Sequence, residues 1–287
     1  MQSTLTLHSS PSAGHCEASR AHAGIQSLGF PGGERHVRLP ESVLACADLC
    51  WTITAGLYSA EGVMDLLLLT DALKRAVPVG AQIQLQLPYV PYARQDRVAV
   101  EGEPLSAAVF CQLINGAEFA SVTVSDPHSD VVSALLRNVR VIPAAHYVKQ
   151  LREGALSQLG DFAVVAPDAG ARKRVESVAK AIGSQLVYAS KRRNPLTGRL
   201  SDAAVESELP DLPLLVVDDI CDGGGTFIAL AAALRERSTR PRYLYVTHGL
   251  FTKGLAPLKA HFDGIFTPFC ADPALAAETC IHRPQRG

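Results

Sequence analysis

Leu214-Leu215-Val216-Val217-Asp218-Asp219-Ile220-Cys221-Asp222-Gly223-Gly224-Gly225-Thr226-Phe227 is the run that decides how this chain is read. Its first four residues form a short apolar block of the kind that makes a buried strand. Two adjacent carboxylates, Asp218 and Asp219, follow it. A glycine loop comes next, and Thr226 opens a helical pattern that runs to Leu234. Glycine frees backbone N–H groups to wrap an anion, and the positive end of the helix points at that anion. Paired carboxylates at a strand end suit sugar hydroxyls or a hydrated cation. Together these features describe a site for a sugar phosphate with a divalent metal. The alternative, a capped strand-to-helix turn, leaves three glycines and three aspartates without a purpose.

Outward from this segment the chain keeps one rhythm. Residues 162–166, 185–189, 214–217 and 243–247 read as strands, with helices over 171–182 and after Thr226. The first half repeats it, with strands at 82–87 and 121–124 and helices at 62–76 and 105–114. Residues 1–25 are a poorly specified start, and 194–212 have the Pro, Gly, Ser and Asp content of a long mobile loop. Strands alternating with helices predict an α/β protein with mostly parallel sheets. Such sheets place ligands beyond the carboxyl ends of strands, where Asp126, Asp168 and Asp218 fall. The 287 residues suggest two domains, 26–147 and 148–287.

Composition narrows the function classes. The chain is 47% apolar and 19% charged with a net charge of −1, a globular balance with no polyanion-binding excess. Neither a nucleic-acid partner nor a membrane partner is expected. No run nears the roughly 18 apolar residues of a membrane span, and the first 20 residues lack the apolar core of a signal peptide. The seven cysteines form no zinc spacing and read as buried free thiols, which points to a reducing cytoplasm. A P-loop and a Gly-x-Gly-x-x-Gly dinucleotide loop are both missing.

Further motifs carry a resemblance. Pro88-Tyr89-Val90-Pro91-Tyr92-Ala93-Arg94-Gln95-Asp96-Arg97 and the loop at 222–226 resemble the ribose-phosphate pyrophosphokinase (phosphoribosyl-pyrophosphate synthetase) family. That family is built from two type I phosphoribosyltransferase folds in tandem. The likeness runs from Phe30 to Thr267. It implies an ATP site formed by Phe30, Glu34, Arg94, Gln95 and Asp96, with Phe30 stacking on adenine and Glu34 accepting from its amine. An arginine there is apt, because its planar fork pairs with phosphate oxygens and stacks on a base. Asp126-Pro127-His128-Ser129 is similar to the family's Asp-Leu-His-Ala, which makes His128 a residue of the Mg2+–ATP site. Pro167-Asp168-Ala169-Gly170 resembles Pro-Asp-x-Gly, which makes Asp168 a partner of metal and ribose. Lys191-Arg192-Arg193 resembles the Lys-x-Arg at the root of a catalytic loop.

The resemblance implies that the anomeric hydroxyl of ribose 5-phosphate attacks the β-phosphorus of Mg-ATP and AMP leaves. Lys191, Arg193 and His128 would be catalytic, with Mg2+ near His128 and Asp168. Asp218, Asp219, Asp222, Gly223, Gly224, Gly225 and Thr226 would hold the ribose phosphate, and a homo-oligomer is expected. Some positions depart from the pattern. Gly32 replaces a usual polar residue, and Pro127, Ser129 and Asp130 alter the histidine motif. Gly223 stands where the family has threonine, which frees volume beside the 5-phosphate and makes ADP-ribose an alternative acceptor. The C-terminal stretch from Cys270 lacks the family's closing helix. A catalytically silent regulatory paralogue and a base-transferring phosphoribosyltransferase are the readings from other classes.

Overall fold

The computed structural model describes residues 2–11, 19–193 and 200–279, and their side chains except over 191–203. The chain divides into two compact units, with the boundary between Ile142 and Pro143.

The first unit contains β1 (Thr4–Ser10), β2 (Arg20–His22), β3 (Gln26–Gly29), β4 (Arg35–Arg38), α1 (Glu41–Leu44), β5 (Cys50–Gly56), α2 (Ala60–Ala76), β6 (Gln82–Leu87), α3 (Ser106–Gly116), β7 (Ser121–Ser125), α4 (Asp130–Leu135) and β8 (Val139–Ile142). Its main sheet has the order β2-β1-β5-β6-β7-β8. Strands β5 to β8 are parallel, and β1 closes antiparallel on β5 with Leu7 opposite Ile53. Helix α2 forms where expected. The Ser59 side chain accepts from Gly62 N–H at its start, Lys74 and Arg75 sit in its last turn, and Leu66, Leu69 and Leu73 are fully buried. Trp51, Ile53 and Leu85 meet this face from the sheet. β3 and β4 form a separate antiparallel hairpin. Arg35 ties it to α2 by donating to both carboxylate oxygens of Asp65, at 2.8 and 2.5 Å.

The start of the chain differs from expectation. The segment Thr-Leu-Thr-Leu-His-Ser-Ser is a strand whose buried positions are Leu7 and Ser9. A serine in an inward position hides the two-residue period from a reading that counts apolar residues. Ser9 is tolerated because its hydroxyl donates to Asp48 at 2.5 Å and lies 2.8 Å from His22 Nε2. Burial holds the His22 imidazole below its ordinary value, and the Ser9 hydrogen bond holds Asp48 low. Both groups bind protons more readily in the unfolded chain, so stability falls with acidification. The His22 contribution is lost first, as pH drops below about 6.5. We expect the unfolding midpoint of the first unit to decline between pH 7 and 5, and His22→Gln to flatten that decline. Parallel pH profiles for wild type and variant would contradict this.

The second unit contains α5 (Ala144–Glu153), β9 (Ala163–Ala166), α6 (Arg172–Ile182), β10 (Leu186–Arg193), β11 (Leu200–Val205), β12 (Leu214–Cys221), α7 (Gly225–Arg237), β13 (Arg242–Gly249), α8 (Ala256–Lys259), β14 (Gly264–Phe266), β15 (Phe269–Cys270) and α9 (Pro273–Ala276). The sheet order is β11-β10-β9-β12-β13-β14, parallel except for β11. β12 is central, and its first four residues are all buried, as a strand covered on both faces requires. Helix α6 buries Val175, Val178, Ala179 and Ile182 and ends at Gly183, whose φ of 65° makes a left-handed cap. The expected loop at 194–212 is in part a strand, since β11 runs antiparallel to β10; residues 194–199 lie outside the description.

Cys46, Cys50, Cys111 and Cys221 are buried free thiols. Burial pushes Cys111 up to about 11 and Cys221 up to about 12, so neither serves as a nucleophile. Cys16 and Cys280 lie outside the described residues.

Candidate active site

In the second unit, β12 carries Asp218 and Asp219 toward its carboxyl end. Asp219 is buried and the Asp218 side chain is mostly so. Their common partner is Arg174 in the first turn of α6. Its Nη1 lies 3.3 Å from Asp218 Oδ1 and 3.4 Å from Asp219 Oδ1. Burial, then repulsion from Asp219, raises the Asp218 carboxyl well above the usual range, and Arg174 acts against that shift. The pair is therefore an acidic patch partly neutralised by one guanidinium, with oxygens suited to sugar hydroxyls.

The glycine loop follows at once. Gly224 has φ 77° and is the N-cap of α7, and a Cβ there would sit 3.0 Å from Leu258 Cδ2. Both facts require glycine. The N–H groups of Gly225, Thr226 and Phe227 head a 13-residue helix and have no acceptor within it. The loop is held from outside by the segment after β13. Leu250 and Phe251 donate their N–H groups to Cys221 O, Thr252 N–H donates to Asp222 O at 3.1 Å, and Thr252 Oγ1 donates to Asp222 Oδ1 at 2.7 Å. Gly223 accommodates a further neighbour. Its missing Cβ would touch the Lys253 stem at 3.5 to 3.9 Å. The volume expected to be free beside Gly223 is thus bordered by a lysine.

Asp168 follows β9 and is half-buried. It caps the entry to α6 by accepting from Ala171 N–H at 3.1 Å. Lys191 and Arg193 lie at the end of β10, where the hairpin with β11 begins; their side chains fall outside the described residues.

The first unit presents the remaining residues. Pro88 to Arg97 follow β6, with Arg94 and Gln95 exposed and Asp96 half-buried. Tyr92 holds φ 62°. Asp126 follows β7 with φ 40°, is buried, and donates its N–H to Ile142 O. Strained non-glycine backbone in the loop after β6 and directly after β7 is of the kind that clusters at ligand sites. His128 is exposed, and the neighbouring Ser129 Oγ is buried without a hydrogen-bond partner among the described residues. Phe30 and Glu34 lie at the tip of the β3–β4 hairpin, closed by Phe30 N–H to Glu34 O at 2.8 Å and by Gly33 at φ 91°. Phe30 is 50% exposed, with the His36 ring 6.0 Å away.

Residues 17–117 match the N-terminal domain of ribose phosphate pyrophosphokinase, and residues 132–241 match the phosphoribosyl transferase domain. A ribose-phosphate pyrophosphokinase of Thermococcus kodakarensis is 32% identical over 248 residues, covering 84% of each chain. The chain belongs to the ribose-phosphate pyrophosphokinase family. A relative of the same name from Mycoplasma pneumoniae is 33% identical, over 79% of this chain and 68% of its own. Phosphoribosylpyrophosphate synthetase from Mycobacterium smegmatis superposes with a TM-score of 0.68 at 26% identity, over 85% of this chain and 79% of that one. The two units therefore correspond to the paired α/β domains of a ribose-phosphate pyrophosphokinase. No described helix is long and apolar enough to cross a membrane.

Sequence reasoning missed Arg174 and Lys253. Arg174 sits among three basic residues of an amphipathic helix, Arg172-Lys173-Arg174, which reads as a solvated face. Only the fold shows that its side chain is 12% exposed.

Proposed function

We propose that this chain is a ribose-phosphate diphosphokinase. The observation that carries the reading is the Asp218–Asp219 pair beside a glycine loop that opens α7, in a chain whose relatives bear that name. The anomeric hydroxyl of ribose 5-phosphate attacks the β-phosphorus of ATP. A bond forms from that oxygen to Pβ, the bond from Pβ to the α,β-bridging oxygen breaks, that oxygen leaves on the α-phosphate of AMP, and the hydroxyl proton is released. Such chemistry rests on positioning and charge neutralisation.

In this reading Asp218 and Asp219 orient the ribose hydroxyls, with Arg174 fixing their carboxylates. Asp222 to Thr226 bind the 5-phosphate through backbone N–H groups and the Thr226 hydroxyl. Phe30 and Glu34 hold adenine, Arg94, Gln95 and Asp96 hold the nucleotide, and Lys191 and Arg193 neutralise charge on the transferred group. Mg2+ suits these residues. No cluster of three or more His, Cys, Asp or Glu that could cage an ion occurs among the described residues, and magnesium in phosphate sites relies mainly on water, substrate and one or two carboxylates. In the first unit His128 and the unpartnered Ser129 hydroxyl would serve the Mg2+ that accompanies ATP, and in the second unit Asp168 would serve metal and ribose, chiefly through water. When bound, the ion neutralises the β- and γ-phosphates. A homo-oligomer in the cytoplasm completes this reading.

Lys253 beside Gly223 favours ribose 5-phosphate over ADP-ribose, because the room vacated by the missing side chain has an occupant. The protein is incubated with ATP and either sugar, and the products are weighed by mass spectrometry. We expect one AMP per diphosphorylated ribose 5-phosphate. AMP formation with ADP-ribose alone would reverse the acceptor assignment, and no AMP with either sugar would favour a silent paralogue.

A further inference from the structure

We infer that Lys253 contacts the acceptor's 5-phosphate and sets the affinity of this chain for it; the inference rests on the ribose-phosphate reading of the 222–226 loop. Lys253 lies beyond the stretch that matches the phosphoribosyl transferase domain, which ends at residue 241. The backbone on either side of it is fixed to the loop. Before it, Thr252 binds Asp222 through both N–H and hydroxyl, and after it Gly254 N–H donates to Phe251 O at 2.8 Å. Phe251 is buried and held at φ 46°, so the turn is anchored by its ring. From this anchored turn the lysine stem runs across Gly223. The position of a Gly223 Cβ lies 3.9 Å from Cγ, 3.6 Å from Cδ and 3.5 Å from Cε. The ammonium is one bond beyond Cε, on the same loop that opens α7.

Two observations say what that ammonium is for. Lys253 is exposed and makes no hydrogen bond or ion pair among the described residues, so its charge is not consumed in holding the fold. The surroundings are also acidic: Asp218 and Asp219, which Arg174 faces, and Asp222 lie on the same strand and loop. A helix N-terminus supplies only about half a charge. A phosphate ester near −2 is favoured by a full cation on the loop, and the turn delivers Lys253 there.

Lys253→Met keeps the stem over Gly223 and removes the charge, Lys253→Arg keeps the charge, and Lys253→Gln is a second neutral variant. The full chain is assayed with ATP and ribose 5-phosphate, and ribose 5-phosphate binding is measured by calorimetry without ATP. For Met and Gln we expect Kd and KM for ribose 5-phosphate to rise about 10- to 100-fold, the loss of one charge-assisted hydrogen bond. The KM for ATP should stay within about twofold, and Arg should stay close to wild type. The affinity of Met for ribose 5-phosphate should also depend less on salt than that of wild type. Neutral variants that bind ribose 5-phosphate as wild type does overturn the inference and leave the acceptor reading intact. A wild-type protein that neither binds nor converts ribose 5-phosphate overturns both.

Discussion

Arg174→Leu is expected to destabilise the second unit by about 3 kcal/mol at pH 7.5, the cost of removing one partner from a buried ionic cluster. The arginine is the charge that both Asp218 and Asp219 face, and all three side chains are 16% exposed or less. Without it two carboxylates share a poorly hydrated space and lose the guanidinium they both face. They will respond by taking up a proton, since burial and mutual repulsion already raise Asp218. The penalty should therefore shrink as pH falls toward 5, because the folded variant then binds more protons than its unfolded chain. Adding Asp218→Asn to Arg174→Leu should recover a large part of the loss, and Arg174→Lys should cost less than leucine. Denaturant unfolding followed by circular dichroism measures each. A loss below about 1 kcal/mol for Arg174→Leu, typical of an exposed pair, would show that the cluster is solvated. Ribose 5-phosphate affinity should fall with the same variant, as the carboxylates lose their orientation.

Lys191→Ala should lower turnover by about a thousandfold, the upper range for removing one donor from a charge-stabilising site. The residue stands at the end of β10, where the chain leaves the sheet to return as β11. In the proposed function a cation there neutralises charge on the transferred group. Circular dichroism and the unfolding midpoint should match wild type while AMP release falls. A variant that keeps near-normal turnover would remove Lys191 from the catalytic set. An equal loss of fold and activity would make it a structural residue.

Much of the site is local and was readable for that reason. Asp218 to Thr226 form one continuous strand–loop–helix segment, so side-chain type and order alone report a paired carboxylate and an anion-wrapping loop. The Arg94–Asp96 run and the Asp168 turn are equally contiguous. Strands β6, β7 and β12 announced themselves by apolar content. β1 did not, because one of its inward positions is Ser9, and β11 did not, because its composition is that of a loop. The segment that displays Phe30 and Glu34 was legible only through its family motif, and neither the two-stranded hairpin nor its attachment to α2 through Arg35 and Asp65 was.

By itself, the sequence determined the α/β class, the tandem arrangement, the acidic pair and the glycine loop, since each follows from residues that are neighbours in the chain. Only the tertiary structure decided what surrounds them. Arg174 meets Asp218 across 44 residues of sequence, and Thr252 meets Asp222 across 30. Contacts at that separation leave no periodicity and no motif, because they exist only when parallel strands bring successive loops to one edge of the sheet. For that reason Gly223 reads in the sequence as room to spare, and in the fold as the groove along which Lys253 lies.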